Sequence, residues 1–312
     1  MGGAHCSSKH IERHQRSTMK RFQYASDLHL ELFPGVRFSP DHVRARRLVL
    51  AGDIGDPASG EYAQFLAHCA ANFATVFVVL GNHEAYGKSW SETTRLVREV
   101  ARATNESVRR EAAVVVLDRE ECDVQDDDDD DDEEEEEERE HGERRTGGKT
   151  TIRVLGCTLW SDIPATQKMY IRLCLTDFRR IRELKHQGVP AYNRMHHEDV
   201  AWLRERLCHA HETRTPCLVV THHAPAIRGT SNPKYDGSPL TCAFATHLPD
   251  VVGHPAVAAW VHGHTHFSHR TEIPAPARDS GTVLLAANQR GYADDPEEAA
   301  GFDPSAVLAL PG

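Results

Sequence analysis

The chain has 312 residues, with 47 acidic and 36 basic side chains and a formal net charge of −11. That length allows one large domain or two small ones, with a core that needs no disulfide or metal to fold. The acidity is local: seven Asp (126–132) and six Glu (133–138) form one run, and outside it 34 acids face 36 bases, which argues against a globally acidic surface.

Residues 1–18 are polar and aperiodic, and a disordered extension is expected there, with a folded body from Met19 onward. The opening Met-Gly-Gly-Ala-His-Cys has Cys6 where a myristoylation signal wants Ser or Thr. With no secretory segment and no apolar run of membrane-spanning length, a soluble cytoplasmic protein is expected. Short apolar runs then recur at 22–26, 48–54, 76–82, 113–117, 152–160, 217–223, 259–266 and 282–288. Between them, 61–72, 88–104 and 197–211 carry apolar residues at three- and four-residue steps, such as Val200, Leu203 and Leu207. Strands alternating with helices predict an α/β layered domain with buried strands. Residues 118–150 break the pattern, because adjacent acids repel and bury nothing; a solvated, disordered loop is expected inside one domain spanning 19–312. The eight cysteines include no Cys-x-x-Cys pair, which excludes a zinc ribbon and a small disulfide scaffold.

The chemistry collects where the strands end. The first run leads into Asp27-Leu28-His29, the second into Gly52-Asp53, and the third into Gly81-Asn82-His83-Glu84. Two later runs lead into His222-His223 and Gly263-His264-Thr265-His266. In open α/β sheets, ligand sites form outside the carboxyl ends of strands. Asp27/His29 and His264/His266 are each two apart, so in an extended segment each pair would face one side. Glycines before Asp53, Asn82 and His264 let the backbone turn sharply and approach closely. Imidazole and carboxylate without thiolate suit Mn, Fe, Zn or Co better than Mg or Ca. The donors exceed the needs of one ion, and two divalent ions sharing a carboxylate fit the count. Histidine, at 21 residues, outnumbers Phe and Tyr together, in keeping with a metal site.

The ordered series Asp-x-His, Gly-Asp, Gly-Asn-His-Glu, His-His and Gly-His-Thr-His resembles the calcineurin-like metallophosphoesterases over about residues 19–295. The resemblance implies a four-layer α/β/β/α sandwich with two metals at the strand ends. It implies Asp27, His29, Asp53 and His266 on one ion, and Asp53 (bridging), Asn82, His222 and His264 on the other. His223 would stand behind His222, and His83 would face substrate, with Asp56 as an orienting partner. Such a site hydrolyses a phosphomonoester or phosphodiester with metal-activated hydroxide. The pieces SDLHLE, GNHE, GCTLWSD, THHAP and NQRGY are similar to a group of small phosphoesterases. Protein phosphatases of the superfamily carry an arginine where Pro57 stands, so protein phosphatase activity is not expected.

The expected partner is a small phosphorylated substrate. A nuclease is the less favoured alternative, since no basic stripe with interleaved aromatics is evident. A non-catalytic scaffold is the other, disfavoured because every ligand position is filled. Arg179 and Arg290 are candidate phosphate contacts, with ordinary surface ion pairing as the competing role. Ordinary roles are expected for the other histidines: His196 and His197 opening a helix, His209 and His211 near its end, and His262 behind the site. Asp162 and Asp177-Phe178-Arg179 are expected on loops.

Overall fold

In a computed structural model, the structure describes residues 19–110, 113–125, 151–275, 281–292 and 294–311. The expected N-terminal extension and the acidic run therefore lie outside the described residues. Each apolar run forms a strand: β1 (Met19–Ala25), β2 (Arg47–Ala51), β3 (Thr75–Val79), β4 (Val114–Leu117), β6 (Thr151–Cys157), β7 (Cys217–Thr221), β8 (Val257–His262) and β10 (Thr282–Ala287). Three further strands complete the sheets: β5 (Glu120–Gln125), β9 (His269–Pro274) and β11 (Val307–Pro311).

Strands β11-β1-β2-β3-β4 form one sheet and β5-β6-β7-β8-β10-β9 the other. Within each, the inner strands run parallel, while β11, β5 and β9 pair antiparallel. The parallel strands read as continuous apolar runs because both of their faces are covered. On β2, for example, Leu48 and Leu50 point to a helical layer, and Val49 and Ala51 point to the other sheet.

The helical layer outside the first sheet is α1 (Gly60–Asn72) and α2 (Trp90–Val108). Ser59 and Ser89 cap them, each hydroxyl accepting from a backbone N–H three residues on. Between the sheets, Phe22, Tyr24, Phe77 and Val79 meet Ile152, Val154, Leu218, Val220 and Val261. Outside the second sheet, Leu203 and Leu207 of α6 (Val189–Glu212) and Val251 and Val252 of α7 (Pro249–Val252) pack on Leu155, Val219 and Trp260. The order helix, sheet, sheet, helix is the expected four-layer sandwich. The short α3 (Lys168–Cys174), α4 (Asp177–Arg180) and α5 (Arg182–Gln187) lie between β6 and α6, and α8 (Pro296–Ala299) precedes β11.

Three local expectations are corrected. Residues 120–125, expected in the solvated loop, form an edge strand on β6, held by Arg153 Nε donating to the Asp123 carboxylate at 2.7 Å. Helix α6 begins at Val189 with a proline in its first turn, so His196 and His197 sit inside it rather than at its start. Asp177 opens α4 rather than lying on a loop.

Candidate metal centre

The strand-end residues converge. Ligand atoms of Asp27, His29 and His266 lie within 4.8 Å of one another, and so do those of Asp53, His222 and His264. Both groups are buried apart from His266, whose side chain is 12% exposed. His264 and His266 thus address two neighbouring volumes, while Asp27 and His29 share one.

The local backbone that does this is not extended. Asp27, His29, Asp53, His264 and His266 all have positive φ, between 48° and 71°, a region that costs a non-glycine residue of the order of 1–3 kcal/mol. The i, i+2 pairs therefore converge through left-handed turns just past the strands, rather than by the pleat of a strand. A network of main-chain bonds holds those turns: Asp27 N–H donates to Gly52 O, His29 N–H to Asp53 O, and Gly263 N–H to His222 O. Gly52 is needed as glycine: its φ is +86°, and a Cβ there would stand 2.5 Å from His222 Nδ1. At Gly263 a Cβ would meet the Asp27 carboxylate at 2.7 Å.

Carboxylates and a backbone carbonyl behind the candidate ligands fix their orientation. His266 Nδ1 donates to Glu298 at 2.6 Å, leaving Nε2 toward Asp27 at 3.4 Å and His29 Nε2 at 3.0 Å. His222 Nδ1 donates to Ala51 O at 2.9 Å, so Nε2 faces Asn82 Oδ1 at 3.0 Å and Asp53 at 3.4 Å. Asn82 is aimed by its amide, which donates to Asp177 Oδ1 at 2.9 Å; the same oxygen accepts from the Tyr86 hydroxyl at 2.8 Å. The wholly buried Glu84 accepts from the backbone N–H of Asp53, Ile54, Gly55 and Gly81, tying two ligand loops together. Burial and the nearby Asp53 carboxylate push Glu84 up to about 7.

The donor set fits a pair of divalent cations. Nε2 of His264 is buried without a hydrogen-bond partner, and burial, then the neighbouring His222, push this imidazole down to about 3. A neutral ring with an unshared lone pair is what a metal requires. His222 and His266 lose affinity for protons through burial, yet their carboxylate neighbours outweigh it and hold them up to about 9 and about 10. Asp27 would also rise on burial, but His266 holds it at about 2. Four imidazoles and two carboxylates facing one another in this way would bind two ions without thiolate.

His83 lies beside both groups, its ring 4.4 Å from that of His29. The carboxylate that orients it is Glu31, which accepts from His83 Nδ1 at 2.9 Å and stands 3.3 Å from His29 Nδ1. Asp56, expected in that role, instead pairs with Lys88 Nζ at 2.6 Å and accepts from Ala58 N–H. His223 packs behind the ligands, Nδ1 at 2.9 Å from Ser161 Oγ, its ring 4.0 Å from that of His264. His262 turns to His269 and the Gly263 carbonyl. Arg290 donates to Leu28 O and covers the Phe33 ring, and Arg179 donates to Leu173 O and Thr176 Oγ1. Neither arginine lines the cleft over the metal ligands, so the structure does not bring the two candidate phosphate contacts to the site. That cleft, about 380 Å³, is bounded by Asp53, Asn82, His83, His264 and His266 at its base, and by Tyr86, Leu175, Tyr235, Leu240, Phe244 and Tyr292 on its walls.

Glu31, Asp177 and Glu298 escaped the sequence reading because each reaches the site across a fold contact rather than from a ligand motif. Only Glu31 carried a signal, two residues after His29 in SDLHLE.

Comparison with known proteins agrees with the geometry. An uncharacterized protein, L509, of Acanthamoeba polyphaga mimivirus is 22% identical, with 94% of this chain and 97% of that protein aligned. The crystal structure of phosphopantetheinyl hydrolase from Mycobacterium tuberculosis superposes with a TM-score of 0.60 at 18% identity, covering 94% of this chain and 96% of that one; it shares the fold. The profile of the calcineurin-like phosphoesterases matches residues 25–268, and the chain belongs to that family.

Proposed function

We propose that the protein is a dinuclear metal-dependent phosphoester hydrolase, with Asp27, His29, Asp53 and His266 on one ion and Asp53, Asn82, His222 and His264 on the other. The observation that carries this is the pair of donor groups, Asp27/His29/His266 and Asp53/His222/His264, each with its donor atoms within 4.8 Å, beneath an open cleft. Divalent ions held there, Mn, Fe or Zn by donor type, would lower the pKa of water and draw charge from phosphoryl oxygens.

The chain's own residues do the rest. Asn82 keeps its oxygen toward the ions because Asp177 occupies its amide. His83 is the general acid for the leaving oxygen: with Nδ1 given to Glu31, its Nε2 is the nitrogen left to serve the substrate, and it stands 3.9 Å from Asp53. Burial lowers the affinity of His83 for its proton, and Asp53 and Glu31 outweigh that and raise it.

One observation favours a second reading, a nuclease: Lys168, Arg172, Arg179, Arg180 and Lys185 are exposed on α3–α5, beside the cleft residues Leu175 and Thr176. Metal analysis and Mn²⁺-dependent turnover of a monoester, a diester and single-stranded DNA test both. Asp53→Asn and His83→Ala should each abolish turnover, and full activity in Asp53→Asn would sink the dinuclear scheme.

A further inference from the structure

Above the metal ligands, no lysine or arginine lines the cleft among the described residues. The two carboxylates there besides Asp53 are already engaged, Asp177 by Asn82 and Tyr86, and Glu298 by His266. The lining of the walls is uncharged: Leu175, Leu240 and Phe244 supply apolar surface beside Tyr86, Tyr235 and Tyr292, while Arg180 and Lys234 stand over the Tyr86 and Tyr235 rings without lining the cleft, Lys234 being paired with Glu297. Phe244 stacks on the ligand His264, with ring centroids 4.6 Å apart, so this surface begins at the metal centre itself. A volume of about 380 Å³ is in the range of clefts that enclose small organic ligands and far exceeds what a phosphate group fills.

These features discriminate among phosphoesters. A monoester near neutral pH carries close to two charges and three terminal oxygens, and a polyphosphate carries more. Beyond the two ions, the lining among the described residues offers such groups hydroxyls, the Cys174 thiol and His83, but no ammonium or guanidinium. A diester carries one charge and two terminal oxygens, which two ions can satisfy, and it adds an organic arm that needs a wall. We propose that the substrate is a phosphodiester whose retained arm is uncharged and largely apolar, lying along Leu175, Leu240 and Phe244. This rests on the hydrolase reading above. Attack by water on phosphorus forms the new P–O bond and breaks the bond to the leaving oxygen, which takes the His83 proton; the proton lost by the water passes to solvent, from which His83 is reprotonated, and the arm stays on the monoester product.

The test uses the full chain loaded with Mn²⁺ and three substrates that all release p-nitrophenolate: p-nitrophenyl phosphate, its ethyl diester and its hexyl diester. The expected order of kcat/KM is hexyl, then ethyl, then the monoester, with hexyl at least tenfold above ethyl. Leu240→Lys, and separately Tyr235→Lys at a 47% exposed position, should shrink the hexyl-to-ethyl ratio and lower KM for the monoester. A ratio near one, or a monoester turned over fastest, overturns the substrate class and leaves the hydrolase intact. If nothing is turned over, the hydrolase reading fails, and calorimetric binding of dihexyl against diethyl phosphate still decides what the cleft accepts. At least tenfold tighter dihexyl binding supports the apolar arm, and equal binding overturns it.

Discussion

Replacing Glu31 by Gln should separate the chemical step from metal binding. Among the described residues Glu31 is the carboxylate facing Nδ1 of His83, at 2.9 Å, and its contact with His29 Nδ1 is longer, at 3.3 Å. Burial raises the Glu31 pKa, but hydrogen bonds from His29 and His83 outweigh it and hold it at about 2, so the pair is charge-assisted across the neutral range. A charge-assisted hydrogen bond is worth about 1.5–3 kcal/mol, and this side chain is 22% exposed, so the lower end applies, roughly tenfold in rate. Gln keeps the shape and can still accept a hydrogen bond, but it no longer stabilises a protonated His83. The loss should therefore grow as the leaving group worsens. Hydrolysis of two diesters, one leaving as p-nitrophenolate and one as phenolate, measures it. The expected result is a loss of about threefold or less for the first and about tenfold or more for the second, with two metals still bound. Equal losses with both leaving groups, or loss of a metal ion, would refute the assignment of Glu31 to proton transfer.

Gly52→Ala should leave the far-ultraviolet circular dichroism unchanged yet lower metal content and activity at least tenfold, because the added methyl meets His222 Nδ1 at 2.5 Å. Asp199 is buried, and burial raises its carboxyl to about 7 despite Arg119. Its contribution to stability is then complete below about pH 4 and is lost as pH rises through about 7. Denaturant unfolding of the native chain and Asp199→Asn at pH 5 and pH 8 should show a stability difference that changes in that direction, and a difference flat with pH counts against it. Arg290→Ala, which loses a bond to Leu28 O and cover on Phe33, should cost about 1 kcal/mol of stability and leave KM within about twofold. A tenfold rise in KM would restore Arg290 as a phosphate contact.

The sequence made the buried parallel strands plain, because burial on two faces leaves a run of apolar residues with no alternation. The strands it hid are the edges: β5 reads Glu-Glu-Cys-Asp-Val-Gln, and β9 alternates between half-buried and exposed residues along its length. One face of such a strand meets water, so its apolar count falls to that of a loop. The metal-ligand candidates were legible for a different reason. Each sits just past a strand terminus, Asp53, Asn82 and His264 after a glycine, His222 beside His223, and Asp27/His29 and His264/His266 as pairs two apart, local signals that need no knowledge of the fold. Glu31 and Glu298 orient their histidines through contacts 52 and 32 residues apart, and nothing local marks Glu298. The two arginines failed in the opposite sense, since proximity in sequence to site motifs said nothing about where their guanidiniums would turn.

The main-chain bonds that clasp the ligand loops have a consequence for biosynthesis. The amide of His264 donates to the Asp27 carboxylate across 237 residues, and the loop at Gly263 is tied to His222 and the loop at Asp27 to Gly52. A nascent chain that has emerged only as far as β7 can already tie the turn of Asp27 and His29 to Gly52 and Asp53, but it lacks His264 and His266. The groups Asp27/His29/His266 and Asp53/His222/His264 therefore each stay incomplete until β8 and the turn after it have been made. An ion taken up by these two groups would then be selected only after both sheets have docked.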